Sequence, residues 1–327
     1  MDKKKNIALS NLYRFIIAII IMIFLFRTID LAKLKHLFKE IDFFWLLLSC
    51  LVMIILRFLL TIRLQFILKL NNIRASLKEL INVIFISLFF GCIFPSAASA
   101  DVVRGYQLFK SHGQGTVIMG AIILDRFIGL YSMFFLASIG SLVALSSGIS
   151  SKIVVFITAS YTFITIAWFL FCYLVNKKSL FSFNMNAKYN RFWTRVRTII
   201  TATTNMQMIK KSFPFLFAIS ILTQISRCIM FFCLYKSFGS ALNFIYFLVF
   251  IPILFIILML PISFGGLGVR EASLIFFFNT IGVTNEVSVS AGVLSQSIQI
   301  IISLPFVLPL LSKMIVKNKK DKVLSKY

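Results

Sequence analysis

The sequence predicts an all-α integral membrane protein with six full spans and two oppositely oriented re-entrant hairpins that form an inverted repeat. Three observations predict it: the composition, the length of the apolar stretches and the charge of the segments between them. Of 327 residues, 60% are hydrophobic and 13% are charged, whereas a soluble domain is about half apolar and about a quarter charged. Too few polar residues remain to cover a soluble enzyme.

The apolar residues fall into nine stretches, and several have the length of about 17 to 25 residues that a bilayer-spanning helix needs. The first stretch ends at Arg27 without a small-residue cleavage site, so we expect a retained signal-anchor helix. The stretches occupy about 12–26, 43–60, 80–94, 117–145, 153–175, 213–235, 244–262, 271–283 and 289–312.

The net charge of +24 comes largely from the segments between these stretches. Residues 57–79 carry five Lys or Arg against Glu79, residues 176–212 carry eight and no acid, and the tail from Lys313 carries six lysines and one aspartate. The positive-inside rule places these segments and the N-terminus in the cytoplasm. Because the charges lie between spans, we expect a topology signal and no nucleic-acid partner.

The span count agrees with this orientation only if two segments are re-entrant. Residues 80–116 must enter and leave on the cytoplasmic side, because 117–145 must start inside to reach the nearly uncharged 146–151 outside. We therefore predict a first hairpin with arms at about 80–94 and 101–110. The same argument makes 244–288 a second hairpin that opens to the other side, although 244–262 is long for a half-span.

The two hairpin tips share a pattern: Phe94-Pro-Ser-Ala-Ala-Ser-Ala-Asp-Val-Val-Arg104 and Leu260-Pro-Ile-Ser-Phe-Gly-Gly-Leu-Gly-Val-Arg-Glu271. In each, an apolar helix stops at Pro and an Arg follows nine positions later, as in the broken helices of inverted-repeat transporters. We predict one polytopic domain over 1–327, with repeat one at about 43–145, a cytoplasmic basic amphipathic linker at 176–212, repeat two at about 213–312 and a basic tail at 313–327.

Charged residues within apolar stretches are the candidate site, because a charge in a membrane normally faces a partner or a cavity. A helix that begins at mid-membrane also leaves N–H groups unpaired, which favours an anion such as phosphate. The alternatives are that Asp125 pairs internally with Arg227 or Arg104, that Asp101 caps the helix after it, and that the glycines only break a helix. The predicted substrate-binding residues are Asp101, Arg104, Asp125, Arg126, Arg227, Gly265, Gly266, Gly268, Arg270 and Glu271.

No cofactor, metal site or catalytic residue is expected. The histidines, His36 and His112, lie far apart in the sequence, and the five cysteines lie in apolar stretches without CxxC spacing. In the linker, aromatic and aliphatic residues recur at helical spacing among basic ones, which predicts a helix on the anionic cytoplasmic leaflet. The apolar positions are Tyr189, Phe192, Trp193, Val196, Ile199 and Ile200.

The two tip sequences and Asp125-Arg126 resemble the lysylphosphatidylglycerol synthase transmembrane region, also called the flippase-like or UPF0104 family. Ser96–Ala100 stand where members of that family often carry glycines. The resemblance implies a polytopic bacterial inner-membrane protein, and some members of the family move an aminoacylated or glycosylated lipid between leaflets. Full-length synthases add a soluble aminoacyl-transferase domain, which we do not expect in these 327 residues, so transfer of lysine from tRNA is not implied.

We therefore expect a flippase or transporter of a phosphate-bearing lipid, whether a phospholipid or a lipid-linked glycan. One alternative is a membrane transferase or hydrolase with Asp101 or Glu271 as base, and another is a scaffold for a partner synthase. An enzyme should turn over a head group in detergent, a flippase needs two leaflets, and a scaffold should copurify with its partner.

The predicted topology can be tested by cysteine labelling. In a chain freed of its native cysteines, Gly113→Cys should react with a membrane-impermeant reagent only from the cytoplasm, because it follows the first hairpin. Asn285→Cys should react only from outside. Labelling of Gly113→Cys from outside would contradict the first hairpin.

Overall fold

The computed structural model describes residues 31–94, 99–146, 159, 163, 206–260, 263 and 265–324. The regular elements in these ranges are all helices, which confirms the predicted all-α class. They are α1 (Leu31–Lys39), α2 (Phe43–Leu70), α3 (Leu77–Ile93), α4 (Ser99–His112), α5 (Gly115–Ser146), α6 (Met206–Ser237), α7 (Phe244–Met259), α8 (Val269–Asn279) and α9 (Asn285–Leu324).

In the part of the chain that the structure describes, four helices are long and apolar enough to cross a membrane. They are Phe43–Leu70, Gly115–Ser146, Ser212–Ser237 and Asn285–Leu310. They correspond to four of the six predicted full spans. The other two, 12–26 and 153–175, lie outside the described residues, apart from the isolated positions 159 and 163, as does the linker up to residue 205. The helices that flank the two tips are shorter, since α3 has 17 residues and α7 has 16.

Helix α2 shows how apolar surface is divided between the protein core and the bilayer. It packs along α6 and α5. The residues that it buries include Met53, Leu56, Leu60, Leu64, Ile67 and Leu68. A second stripe at helical spacing stays exposed and consists of Phe44, Leu47, Leu51, Ile55, Phe58 and Ile62. Such a long apolar stripe is unfavourable in water, so we assign it to the acyl chains of the membrane.

The predicted end of this helix was wrong. Hydropathy placed it near residue 60, but α2 continues to Leu70. Three basic residues assigned to a cytoplasmic segment, Arg57, Arg63 and Lys69, therefore lie on the helix. Arg63 is only 4% exposed, so it requires a partner within the protein. Helix α9 is also longer than expected, because it runs through most of the basic tail to Leu324.

The described chain divides into two compact units. Unit 1 contains the described residues of Met1–Ile41, Lys78–Gln107 and Leu258–Tyr327. Unit 2 contains the described residues of Asp42–Leu77 and Leu108–Ile257. Each unit therefore takes residues from both predicted repeats. The predicted inverted repeat is a symmetry between two parts of the chain, and a division into compact units does not test such a symmetry. The repeat therefore stays a prediction.

Helices α3 and α4 form an antiparallel pair in unit 1. Arg104 donates from Nε to the Ser87 hydroxyl at 3.0 Å. Closer to the tip, a Cβ on Gly91 would lie 3.0 Å from Cβ of Ala100. The residue numbers of the two pairs have the same sum, as required when two helices run in opposite directions. The helix–tip–helix form expected of the first hairpin is thus present.

Candidate functional site

The ten predicted site residues fall into two groups. Asp125, Arg126 and Arg227 belong to unit 2, and the others belong to unit 1. The unit 1 group consists of Asp101, Arg104, Gly265, Gly266, Gly268, Arg270 and Glu271.

Backbone atoms of the two tips meet directly in unit 1. The Gly265 N–H donates to the Phe94 carbonyl at 3.2 Å. The φ of Gly265 is +56°, and a Cβ at this position would overlap the carbonyl of Cys92. A glycine is therefore required here both for its positive φ and for the close backbone approach.

The second tip turns into α8 through further glycines with positive φ, +83° at Gly266 and +78° at Gly268. Glu271 lies in the first turn of α8, and its Oε2 accepts the Gly268 N–H at 2.7 Å. This is the acidic half of a capping box, in which a side chain in the first turn satisfies a backbone N–H at the helix start. The glycines thus shape the turn, and Glu271 fixes the start of the helix.

Arg270 connects the second tip to α9 and, through it, to the first tip. Its Nη1 donates to Gln296 Oε1 at 2.8 Å, and its Nη2 lies 3.5 Å from the Gly265 carbonyl. Gln296 in turn directs Nε2 at the Cys92 carbonyl at 3.5 Å. Two of the three guanidinium nitrogens therefore face protein groups, so Arg270 fixes the tip as well as carrying charge.

Two buried polar atoms at the start of α8 are unsatisfied. Arg270 and Glu271 are 5% and 3% exposed. Arg270 Nε and Glu271 Oε1 have no hydrogen-bond partner among the described residues. One is a donor and the other an acceptor. Because an unpaired polar atom is costly to bury, this pair marks a position where a ligand would be favourable.

Asp101 and Arg104 lie together on the first turns of α4. Arg104 Nη1 is 3.6 Å from Asp101 Oδ1, and both side chains are about one-seventh exposed, at 13% and 14%. The expected position of Asp101 before the helix was wrong, because α4 already begins at Ser99. Asp101 is therefore within the first turn, where a negative charge is still favoured by the helix dipole.

In unit 2, Asp125 forms a buried ion pair with Arg63. Arg63 Nε lies 2.6 Å from Asp125 Oδ1, and Arg63 Nη1 donates to the Ser220 hydroxyl at 2.9 Å. The guanidinium also lies against Gly129, where a Cβ would be 3.4 Å from Nη1. The internal pairing considered for Asp125 is confirmed, but the predicted partners were wrong. The pair joins α2 to α5, and Ser220 adds α6.

Arg227 and its surroundings form the other polar cluster of unit 2. Arg227 is half-buried on α6, its guanidinium lies 4.1 Å from the centre of the Phe255 ring, and its Nη1 donates to Gln224 Oε1 at 2.6 Å. Arg126 is also half-buried on α5. Whether these residues contact substrate stays a prediction.

Sequence reasoning missed three polar residues: Arg63, Gln224 and Gln296. Arg63 was counted as part of a cytoplasmic segment, although it stands only six positions after Arg57 at the end of an apolar run. Gln224 lies one helical turn before Arg227, and Gln296 lies within the last apolar stretch. Uncharged amides within predicted spans were the signal that could have identified the last two.

A comparison with known protein families shows to which family the chain belongs. The family described as "Lysylphosphatidylglycerol synthase TM region" matches residues 11–306. The chain belongs to this family. A relative called "UPF0104 membrane protein", from Methanothermobacter thermautotrophicus, is 22% identical in an alignment of 301 positions that covers 86% of this chain and 89% of that protein. The resemblance inferred from the tip motifs is thus confirmed, and the chain is a multi-pass membrane protein.

The tip contact predicts a difference between two glycines of similar φ. Gly265→Ala and Gly282→Ala both place a side chain at positive φ, a strain of about 1–2 kcal/mol. Only Gly265→Ala also meets the Cys92 carbonyl, since nothing lies within 4 Å of a Cβ on Gly282. Gly265→Ala should therefore lose a further 1–3 kcal/mol or so and show the lower melting temperature in detergent. Equal melting temperatures would contradict the close tip contact.

The buried ion pair predicts that Asp125→Asn destabilises the protein by about 3–5 kcal/mol, because it leaves Arg63 charged and unpaired. Thermal unfolding in detergent measures this loss. The double variant Arg63→Met, Asp125→Leu should recover much of the stability. As a control, Glu40→Gln alters the exposed His36–Glu40 pair and should change the melting temperature little. If Asp125→Asn were as stable as the unmodified protein, Asp125 would have to face water.

Proposed function

We propose that this protein moves a phosphate-bearing lipid, either a phospholipid or a lipid-linked glycan, between the leaflets of the bacterial inner membrane. The observation that carries the proposal is the meeting of the two tips in unit 1, with buried charges at the second tip and partly exposed charges beside the first. Irregular backbone within a bilayer is tolerated only where protein or a water-filled cavity surrounds it. Transporters use such broken helices to bind the polar part of a substrate.

The head group would bind at the start of α8. A phosphate oxygen would accept from Arg270 Nε, and a hydroxyl or ammonium group of the same head group would donate to Glu271 Oε1. These are the two buried atoms without a partner among the described residues. The N-terminal dipole of α8 favours the phosphate further.

The first tip would supply a second charged surface from Asp101 and Arg104. Their pair is more exposed than the Arg63–Asp125 pair, so the Arg104 guanidinium is accessible to a ligand. In this proposal the lipid phosphate passes from one tip to the other as access alternates between leaflets. Both termini would lie in the cytoplasm, next to the anionic lipids of the inner leaflet.

The proposal predicts that Glu271→Gln slows transport without unfolding the protein. Gln keeps an oxygen that can accept the Gly268 N–H, but it removes the charge that faces the head group. We expect flipping of fluorescent phosphatidylglycerol in proteoliposomes to slow by about 10- to 100-fold, since a hydrogen bond to a charged group contributes about 1.5–3 kcal/mol. Arg104→Gln should slow flipping by a similar factor.

Matched controls separate this effect from general damage. Glu286→Gln makes the same change in the first turn of α9, and Lys110→Gln removes an exposed charge from the last turn of α4. Both controls should flip lipid at the normal rate, and all four variants should keep the normal melting temperature. Full transport by Glu271→Gln and Arg104→Gln would overturn the assignment of the head-group site.

A further inference from the structure

The clearest feature of unit 2 that the transport proposal leaves unexplained is the arginine at the middle of α6. Arg227 lies well inside the candidate span Ser212–Ser237. Its side chain is half-buried rather than enclosed. An arginine at such a depth normally has an anionic partner or faces a polar cavity.

The structure holds the Arg227 guanidinium in a fixed orientation. One face lies over the Phe255 ring at 4.1 Å, and Nη1 donates to Gln224 Oε1 at 2.6 Å. Gln224 is itself 3% exposed. Its Nε2 lies 3.3 Å from both the Gly129 carbonyl and the Ser132 hydroxyl on α5. Neighbouring helices thus position the group before any ligand arrives.

No carboxylate of the described residues pairs with Arg227. The only acid in α2, α5, α6 and α7 is Asp125, and it is held by Arg63 at 2.6 Å. Apart from Cys228, the side chains that act electrostatically on Arg227 are cations, namely Arg57, Arg63 and Arg126. This surrounding charge favours an anion beside Arg227 and disfavours an ammonium group.

Two donors of Arg227 remain for such an anion. Nε and Nη2 make no hydrogen bond with any residue that the structure describes, and they lie on one edge of the planar guanidinium. That edge matches two oxygens of a phosphate group. We propose that Arg227, positioned by Gln224 and Phe255, is a phosphate-binding site of unit 2 that takes the head group of an anionic phospholipid. The inference concerns binding, so it does not depend on transport.

The proposed site at Arg227 should discriminate among lipids by the charge of their head groups. Phosphatidylglycerol offers a phosphate with no cationic group, whereas phosphatidylcholine brings a quaternary ammonium group into a cluster of arginines. Inorganic phosphate offers the same oxygens without acyl chains. These three probes therefore separate head-group charge from phosphate alone.

The experiment counts lipids retained by the purified full chain in native mass spectrometry, with short-chain phosphatidylglycerol, short-chain phosphatidylcholine or inorganic phosphate added. We expect the unmodified protein to retain phosphatidylglycerol in preference to phosphatidylcholine, and Arg227→Gln to retain one phosphatidylglycerol fewer. Lys236→Gln is the matched control, because Lys236 is a half-buried cation of the same helix that also lies over a ring, Phe232. It should retain the normal number.

Gln224→Glu provides a second variant that does not remove the arginine. It places a carboxylate where Gln224 Oε1 now lies and supplies Arg227 with a partner from the protein. We expect a higher melting temperature without lipid and the loss of the same phosphatidylglycerol. A purely structural Arg227 would give the higher melting temperature but leave lipid retention unchanged, which would overturn the proposal.

Two further outcomes are decisive. Equal retention of phosphatidylglycerol by Arg227→Gln and the unmodified protein would refute the site. If inorganic phosphate alone binds and is lost in Arg227→Gln, the phosphate site stands but the lipid assignment is wrong. Arg270→Gln should keep the phosphatidylglycerol bound at Arg227, so failure of the transport proposal can be told apart from failure of this one.

Discussion

Hydrocarbon supplies no hydrogen-bond partner, so every polar group within a span must be satisfied by another part of the chain. Many serine and threonine hydroxyl groups of the spans meet this constraint locally, because they donate to a carbonyl three or four residues earlier on the same helix. Ser132 donates to Gly129 at 2.7 Å, Ser220 to Leu216 at 2.8 Å and Thr223 to Ile219 at 2.8 Å. Charged groups cannot be satisfied in this way, and their requirements organise the two units.

The two units meet that requirement by different means. Unit 2 neutralises Arg63 with the carboxylate of Asp125 and binds helices α2, α5 and α6 through side chains. Unit 1 relies on backbone groups, because the Gly265 N–H and the carbonyls of Cys92 and Phe94 hold the tips together. The close backbone contact at Gly265 requires a glycine, because a Cβ there would overlap the Cys92 carbonyl. The Arg63–Asp125 ion pair forms between side chains, so it does not require a glycine at either position. This explains why the glycines are concentrated at the second tip.

The sequence was sufficient for the fold class, for the four described spans and for the helix–tip–helix form of the first hairpin, because each leaves a local pattern in hydropathy or in Pro and Gly. The partner of Asp125 left no such pattern. Arg63 is 62 residues away, and its pairing depends on how α2 and α5 pack. The positive-inside rule, which assigned Arg63 to the cytoplasm, counts basic residues whether or not they are buried in the protein.

The same limit applies to the tips. Arg270 was recognised from its position nine residues after Pro261, but its bond to Gln296 joins residues 26 positions apart. Spacing indicates which residues begin a helix and carry charge. It does not indicate how much of that charge the protein itself uses. Only the geometry shows that two guanidinium nitrogens face protein groups and one remains.

The separation of Arg63 from Asp125 also has a consequence for biosynthesis. The ribosome makes α2 well before α5, so Arg63 reaches the membrane while its counter-charge has not yet been translated. An arginine within a span raises the insertion free energy, by up to about 2.5–3.5 kcal/mol at the centre, and its long side chain can extend toward the lipid head groups to lessen this. We therefore expect helix α2 to stay near the membrane interface at first, and to reach its final depth only after α5, which carries Asp125, has been inserted. The ion pair can therefore form only after α5 has been translated, 62 residues beyond Arg63.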